Sequence, residues 1–173
     1  AVLSSERGIM LGRDVTVPKT SLADDRWDYV ALGHVHKHQN LTANQSNLPP
    51  VVYSGSMERI DFGEEGDPKG FCWIELERNK SKWEFIKLNA RPFVTLFADL
   101  KADNNPTQRV IDLIEGHNLR EAVVRLILQF TLESEARFNE NAVRDALRRS
   151  GLFHLAGIRK DVDQPARVRL GAS

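Results

Sequence analysis

The sequence contains little cysteine and no long hydrophobic run. Its single cysteine, Cys72, lies in the apolar stretch 71–74, so no intrachain disulfide can form and no thiolate cluster can bind zinc. No stretch approaches the roughly 18 apolar residues that a membrane-spanning helix needs. The N-terminal residues also lack the basic, apolar and small-residue order of a signal peptide. We therefore expect a cytoplasmic protein that does not associate with a membrane.

The chain also has no excess charge, since its 24 basic side chains balance its 24 acidic ones. A large positive excess gives many nucleic-acid-binding proteins their long-range attraction. Without it, any binding of DNA must depend on a local site. The length of 173 residues, with 41% hydrophobic and 28% charged residues, is typical of a globular protein of one domain or two small ones.

Short apolar runs in the first part of the chain predict strands. Residues 28–33 form an apolar run that a glycine ends, a pattern typical of a strand covered on both faces. Residues 51–53 predict a second strand, and 71–77 with 82–88 predict an antiparallel hairpin. The polar, asparagine-rich stretch 39–48 is expected to be irregular.

Arg91-Pro92 predicts a domain boundary, because proline interrupts a central strand and suits a hinge. We therefore expect two domains, 1–90 and 91–173. In the second, the order strand, helix, strand, helix, strand predicts a small α/β (βαβαβ) module, with further strands at 153–158 and 167–170. Each expected helix has an asparagine N-cap and a terminating glycine; these are Asn105 with Gly116 and Asn139 with Gly151.

The expected core of this module follows from the spacing of its apolar residues. Apolar residues at every second position predict the inner face of each strand, and apolar residues three and four positions apart predict the inner stripe of each helix. The predicted core residues are Val94, Leu96, Ala98, Leu100, Val124, Leu126, Leu128 and Phe130 from the strands, and Val110, Leu113, Ile114, Val143, Ala146 and Leu147 from the helices.

Two histidines, His34 and His36, follow the first expected strand. Residues two apart in an extended segment project to the same side, so both imidazoles could meet metal in one pocket. A buried strand would place them at the C-terminal edge of a sheet, where open α/β folds bind their ligands. Paired surface histidines are common, however, and most bind nothing.

Four motifs surround and follow this pair in a fixed order. They are G-H-x-H at 33–36, S-G-S-x-E-R at 54–59, F-G-E at 62–64 and K-G-F at 69–71. In order and spacing they resemble the SbcD family of DNA double-strand-break repair exonucleases, within the calcineurin-like metallophosphoesterase superfamily. The resemblance implies an α/β fold in which 1–90 is the C-terminal half of the phosphoesterase β-sandwich, the nuclease domain. It implies more weakly that 91–173 is a small α/β capping domain.

The resemblance also implies an activity and partners. In that family G-H-x-H supplies one ligand to each of two divalent metal ions, so His34 and His36 would be divided between two ions, with manganese the expected metal. The implied activity is metal-dependent hydrolysis of DNA, as a 3'-5' exonuclease and endonuclease. The implied partners are DNA, an SbcC-type coiled-coil ATPase subunit and, for the full-length protein, a second copy of itself.

The family pattern includes further motifs that are absent here. D-x-H, G-D, G-N-H-D and another histidine should precede G-H-x-H, and none of them does. Two imidazoles alone cannot hold two hard, oxygen-preferring ions. We therefore expect the chain to be the C-terminal portion of a longer protein, with no catalytic residue beyond its two metal ligands. Alone, it should bind manganese poorly and cleave no DNA.

Other residues are predicted to lie near DNA or phosphate. They are Lys37, His38, Ser54, Gly55, Ser56 and Arg59. The Ser-Gly-Ser turn could present N–H groups and hydroxyls to a phosphate, although a plain glycine turn explains it equally well. Arg59 could instead order its own loop. In the second domain, Arg144, Arg148 and Arg149 form a basic helix face that is either solvated or guides DNA.

Two other functions remain open. One is a different calcineurin-like metallophosphoesterase, such as a phosphatase or a nucleotide phosphodiesterase, which would share G-H-x-H. The other is a non-catalytic DNA-binding or scaffold subunit that retains the histidines without using them.

Overall fold

The computed structural model describes residues 17–78 and 80–163. The chain divides between Ala90 and Arg91 into two compact units. The described residues form mixed α/β structure, with three sheets and few helices. None of the helices in these two stretches is long and apolar enough to cross a membrane.

The first unit contains a small three-stranded sheet. Helix α1 (Lys19–Leu22) precedes strands β1 (Val30–Leu32), β2 (Gln39–Asn40) and β3 (Val51–Tyr53). The strand order is β1-β3-β2, with β1 parallel and β2 antiparallel to the central β3. All three residues of β3 are buried; since successive side chains point to opposite faces, both faces of β3 are covered.

Two predictions for this sheet are wrong. The strand expected at 28–33 contains only the three residues of β1, and it is not covered on both faces, since Ala31 is exposed. The stretch 39–48 is not wholly irregular, because β2 lies within it. Strand pairing uses backbone groups, so the edge of β3 can order polar residues that the side-chain pattern does not mark as a strand.

A hairpin completes the first unit, as predicted. Strands β4 (Gly70–Glu75) and β5 (Lys82–Lys87) pair antiparallel, with Gly70 opposite Lys87. A 3₁₀ turn at Phe62–Glu64 lies between β3 and β4. Gly70 has no space for a side chain, because a Cβ there would collide with the Ile86 carbonyl oxygen.

The second unit is a parallel sheet with helices between its strands. Its elements are β6 (Phe93–Asp99), α2 (Pro106–Glu115), β7 (Val123–Thr131), α3 (Leu132–Ala136), α4 (Glu140–Arg149) and β8 (His154–Asp163). The strand order is β6-β7-β8, all parallel. The predicted alternation of strands and helices is observed, with the short α3 as an addition. The strand predicted at 167–170 lies outside the described residues.

The core of the second unit matches the predicted apolar positions. Residues of β7 alternate between buried and half-buried along its whole length, so one sheet face packs against α2 and α4. The buried cluster contains Leu96, Ala98, Leu100, Val110, Ile114, Leu119, Ala122, Val124, Leu126, Leu128, Phe130, Val143, Ala146 and Leu147. Val94 and Leu113 pack against it half-buried.

The predicted N-caps are also confirmed. The Asn105 side chain accepts a hydrogen bond from Gln108 N at 3.2 Å, and Asn139 accepts one from Ala142 N at 3.1 Å. Gly151 follows α4 with φ +72°, a left-handed conformation that favours glycine. The unpredicted α3 begins with a capping box, in which Thr131 and Ser134 cap each other's backbone N–H groups.

Candidate metal centre and its supporting network

His34 and His36 lie in the loop that follows β1, after its last residue Leu32. His34 has φ +78°, a left-handed conformation that few residues other than glycine adopt, although histidine tolerates it better than most. The segment is therefore not an extended strand. The expectation that alternation alone projects both imidazoles to one side is wrong, because the chain turns at His34.

The Ser-Gly-Ser turn after β3 packs against this histidine loop. Since β1 and β3 are parallel, the segments that follow them leave the same edge of the sheet. Ser56 N donates to the His36 carbonyl oxygen at 3.1 Å. Gly55 has φ +82°, and a Cβ on it would lie 2.9 Å from His38 N and 3.0 Å from His36 O. Glycine is thus required for the approach of the two loops.

The His36 side chain contacts a carboxylate from the 3₁₀ turn. Its Nδ1 lies 2.7 Å from Glu64 Oε1. The His36 side chain is 41% exposed, whereas the Glu64 side chain is only 11% exposed. One nitrogen of the ring therefore faces the interior, on a nearly buried acid, while part of the ring remains open to solvent.

Glu64 in turn contacts a buried lysine from the start of the hairpin. Lys69 Nζ lies 2.7 Å from Glu64 Oε2, 2.9 Å from Ser56 Oγ and 3.3 Å from His36 O, and its side chain has no exposed surface. A buried ammonium requires a counter-ion and hydrogen-bond acceptors. Here three acceptors from three segments of the chain satisfy its three protons.

The pKa of Glu64 lies below its ordinary value. Burial raises this pKa, but hydrogen bonds from Lys69, from His36 and from Ile60 N outweigh the burial. The backbone N–H of Ile60 donates to Oε2 at 3.2 Å, the same oxygen that Lys69 contacts. Near neutral pH Glu64 is therefore an anion, and its two oxygens have different partners.

Arg59 holds the loop that contains Glu64. Its Nε donates to the Glu64 carbonyl oxygen at 3.1 Å, and its guanidinium also donates to Asp67 O at 2.9 Å and Ala90 O at 3.5 Å. Lys37, on the exposed side, lies 3.5 Å from Asp67 Oδ1. The guanidinium of Arg59 thus orders its own loop, one of the two roles that its sequence position suggested.

His38 packs inside the first unit. Its Nδ1 lies 3.0 Å from the Tyr53 carbonyl oxygen, and its ring stacks on Phe85 with centroids 4.0 Å apart. These two contacts support a structural role for His38. In the neighbouring turn, Ser54 Oγ donates to Gly55 O at 3.4 Å.

The structure brings together His36, Ser56 and the backbone of Gly55. Sequence reasoning missed the roles of Glu64 and Lys69. Both lie in motifs, F-G-E and K-G-F, that were singled out only through the family resemblance. The acidic surroundings of Lys69 in the sequence give no sign that it is buried, so only the motifs themselves could have identified it.

Two histidines could supply only part of the ligand set of a metal ion. Imidazole nitrogen is a suitable ligand for borderline divalent ions. Such ions take four or more ligands, and within the described parts of the chain no group of three or more His, Cys, Asp or Glu side chains could hold a metal ion.

The basic helix face of the second unit is largely paired. Arg144 Nη2 lies 2.7 Å from Glu140 Oε1, and Arg148 Nη1 lies 2.7 Å from Asp145 Oδ1. Lys160, in β8, also lies 3.4 Å from Glu140 Oε2. The acidic partners offset much of the positive charge that a DNA-guiding surface would need.

Comparison with known proteins places the chain near metallophosphoesterases. No protein-family model matches it. It is 30% identical over 128 residues to "Uncharacterized metallophosphoesterase YhaO" of Bacillus subtilis, covering 69% of this chain and 30% of that protein. It is 32% identical over 84 residues to the SbcD component of the nuclease SbcCD of Staphylococcus saprophyticus, covering 49% of this chain and 20% of that protein.

The chain spans less than a third of the length of either relative. One of them is named a metallophosphoesterase and the other a subunit of a nuclease. Together, the two similarities support the metallophosphoesterase superfamily for this chain.

Proposed function

We propose that the chain carries the G-H-x-H ligands of a metal-dependent phosphodiester hydrolase, and that the whole protein is a DNA nuclease of the SbcD type. The observation that supports this most directly is the contact of 2.7 Å between His36 Nδ1 and the nearly buried Glu64. Metal-ligating histidines commonly use their second nitrogen in this way, on a carboxylate behind the ring.

His34 and His36 are the proposed metal ligands, one for each of two divalent ions, with manganese the proposed metal. Two such ions can activate water and stabilise the attacking and leaving oxygens of a phosphodiester. The remaining ligands would come from residues that this sequence does not contain. Lys37, Ser54 and Gly55 remain candidates for contact with a phosphate.

The proposed partners are DNA, an SbcC-type ATPase subunit and a second copy of the full-length protein. The relative named as a component of the SbcCD nuclease supports this assignment. The second unit, 91–173, would act as the capping domain. Because acidic residues pair with its arginines, we propose that this unit shapes the binding site and orients the DNA more than it attracts the DNA backbone.

The test compares this chain with the longer protein that we propose its reading frame encodes. The longer protein is expected to contain D-x-H, G-D, G-N-H-D and a further histidine before G-H-x-H, and to cleave linear double-stranded DNA with manganese. The 173-residue chain alone is expected to bind manganese weakly and cleave nothing. His34→Ala in the longer protein should abolish cleavage.

His117→Ala is the matched control, because His117 is an exposed histidine of the second unit whose Nδ1 contacts Leu113 O. Cleavage by the 173-residue chain that His34→Ala removes would contradict the proposal that it lacks a complete site. A longer frame without the upstream motifs would contradict the nuclease assignment and favour a scaffold role.

A second function is another metallophosphoesterase activity. It is favoured by the wider match, 69% of the chain, to a relative that is named a metallophosphoesterase and not a nuclease. The same longer protein should then hydrolyse a phosphomonoester or a nucleotide phosphodiester and leave DNA intact.

A further inference from the structure

The environment of Glu64 determines how its two oxygens are used. Oε2 receives the Lys69 ammonium at 2.7 Å and the Ile60 backbone N–H at 3.2 Å. Both of these groups are donors only. Oε1 faces His36 Nδ1 at 2.7 Å. A carboxylate anion has no proton to donate, so the imidazole must supply the proton of this short contact.

We propose that Glu64, held by buried Lys69, is a positioning residue that fixes His36 as the tautomer protonated on Nδ1, so that Nε2 carries the free lone pair. The importance of this lone pair for a metal rests on the proposed function. The choice of tautomer does not, because it follows from contacts within the chain.

Lys69 is the second part of this arrangement. Its side chain has no exposed surface, and it joins the His36 carbonyl, the Ser56 hydroxyl and the Glu64 carboxylate. The same ammonium therefore fixes both the backbone of the histidine and the acid behind its ring. Neither can rotate away without leaving a buried cation unpaired, which is costly.

For Glu64→Gln we expect the opposite tautomer of His36. An amide has one acceptor oxygen and one donor nitrogen. Because Lys69 and Ile60 N both donate toward the Oε2 position, the amide oxygen must occupy it. The NH₂ group then faces His36 Nδ1, which has to accept. The ring should invert to the tautomer protonated on Nε2, with no lone pair left on that nitrogen.

The experiment is a long-range ¹H–¹⁵N correlation spectrum of the 173-residue chain, without metal, at about two pH units above the ordinary imidazole pKa of about 6.5. His36→Asn identifies the His36 signals. In the unsubstituted chain, Nδ1 is expected at the shift of a protonated nitrogen and Nε2 at that of an unprotonated one. In Glu64→Gln the two shifts should exchange. Glu75→Gln, at an exposed hairpin position, should change neither.

An Nε2-protonated His36 in the unsubstituted chain would overturn the proposal, and so would an unchanged tautomer in a folded Glu64→Gln. Should that variant fail to fold, the spectrum of the unsubstituted chain decides the question alone, since it tests the tautomer directly.

Addition of Mn²⁺ to the same samples separates this proposal from the proposed function. Paramagnetic broadening of the His36 ring signals is expected, and Glu64→Gln should require about 10- to 100-fold more Mn²⁺ for equal broadening. The expected tautomer without broadening would support the positioning role and would agree with the weak manganese binding expected of this chain alone; the metal-ligand assignment is then decided by the cleavage assay on the longer protein. Broadening with the other tautomer would overturn the positioning role and support the metal-ligand assignment.

Discussion

The two units of this chain are stabilised by different kinds of contact. Of the buried hydrophobic residues in the described parts of the chain, fourteen form one cluster in the second unit. The corresponding residues of the first unit are Val51, Val52, Tyr53 and Ala90. The first unit instead buries the side chain of Lys69 and nearly all of Glu64. One unit thus has a regular apolar core, and the other has loops joined by polar contacts.

This difference matters because the two kinds of contact respond differently to mutation. In an apolar core, the free energy of unfolding falls gradually as methylene groups are removed. Removal of one partner of a buried ion pair lowers the free energy of unfolding by a large amount in one step, since the other charge remains buried. The first unit contains all three tryptophans, Trp27, Trp73 and Trp83, and the second contains the ten-residue helices α2 and α4. Tryptophan fluorescence and helical circular dichroism can therefore follow the units separately.

The largest expected effect is that of Lys69→Met. It leaves the Glu64 carboxylate nearly buried without its cation, and the free energy of unfolding of the first unit should fall by about 3–5 kcal/mol. Urea unfolding followed by tryptophan fluorescence measures this. Lys87→Met, at an exposed position of β5, is the control. Equal midpoints for the two variants would mean that the first unit does not depend on the buried pair.

Leu126→Ala tests the apolar core of the second unit. Leu126 is 1% exposed, and its truncation should cost about 2–5 kcal/mol through lost burial and a residual cavity. The measurement is urea unfolding followed by the helical dichroism signal. Leu132→Ala, at a residue 54% exposed, should shift the midpoint little. A tryptophan transition that moved as far as the helical one would contradict independent stabilisation of the units.

Gly55→Ala tests the contact between the loops of the first unit. The left-handed φ of +82° and a Cβ 2.9 Å from His38 N should destabilise this unit by about 1–3 kcal/mol. Gly66→Ala provides the control, since a Cβ at that position meets no atom within 4 Å. A tryptophan-monitored midpoint unchanged by Gly55→Ala would show that the loops can separate without cost.

The smallest expected effect is that of Glu140→Gln in the second unit. A hydrogen bond from Arg144 holds the pKa of Glu140 below its ordinary value despite some burial. The folded-state pKa is depressed, so the stabilisation is present above the unfolded-state pKa and is lost as the pH falls through the folded-state one. The pair is partly exposed and one helical turn apart, so about 0.3–0.5 kcal/mol is expected.

The measurement for Glu140→Gln is urea unfolding by helical dichroism, near neutral pH and again well below the ordinary glutamate pKa of about 4.3. The difference between the variant and the unsubstituted chain should be present at neutral pH and vanish in acid. A difference that persisted in acid would show that the carboxylate charge is not its source.

Sequence reasoning predicted the second unit better than the first, for a physical reason. In the second unit, Leu126 and Leu128 alternate with half-buried neighbours along β7, and Asn105 and Asn139 cap their helices. These are local patterns with the period of a strand or the position of a cap, and a sequence displays them directly. The short α3 was missed because its capping pair, Thr131 and Ser134, directly follows a strand without a break.

In the first unit, the position of the histidine pair was predicted and its geometry was not. His34 was expected in an extended segment but has φ +78°, and a backbone conformation of this kind is set by the packing of the loop, not by its own residues. The expectation that His38 and Arg59 lie near phosphate stays a prediction. In the structure, His38 contacts Tyr53 O, and Arg59 contacts the Glu64 carbonyl of its own loop.

The sequence by itself thus determined the apolar core and the helix caps of the second unit, the hairpin, and the motifs that suggest a phosphoesterase. Only the tertiary structure decided that Glu64 lies behind His36, 28 positions away, and that Lys69 joins both. Periodicity specifies which face of an element is buried. It does not specify which loops converge at a sheet edge, and the contacts of a buried charge depend on that convergence.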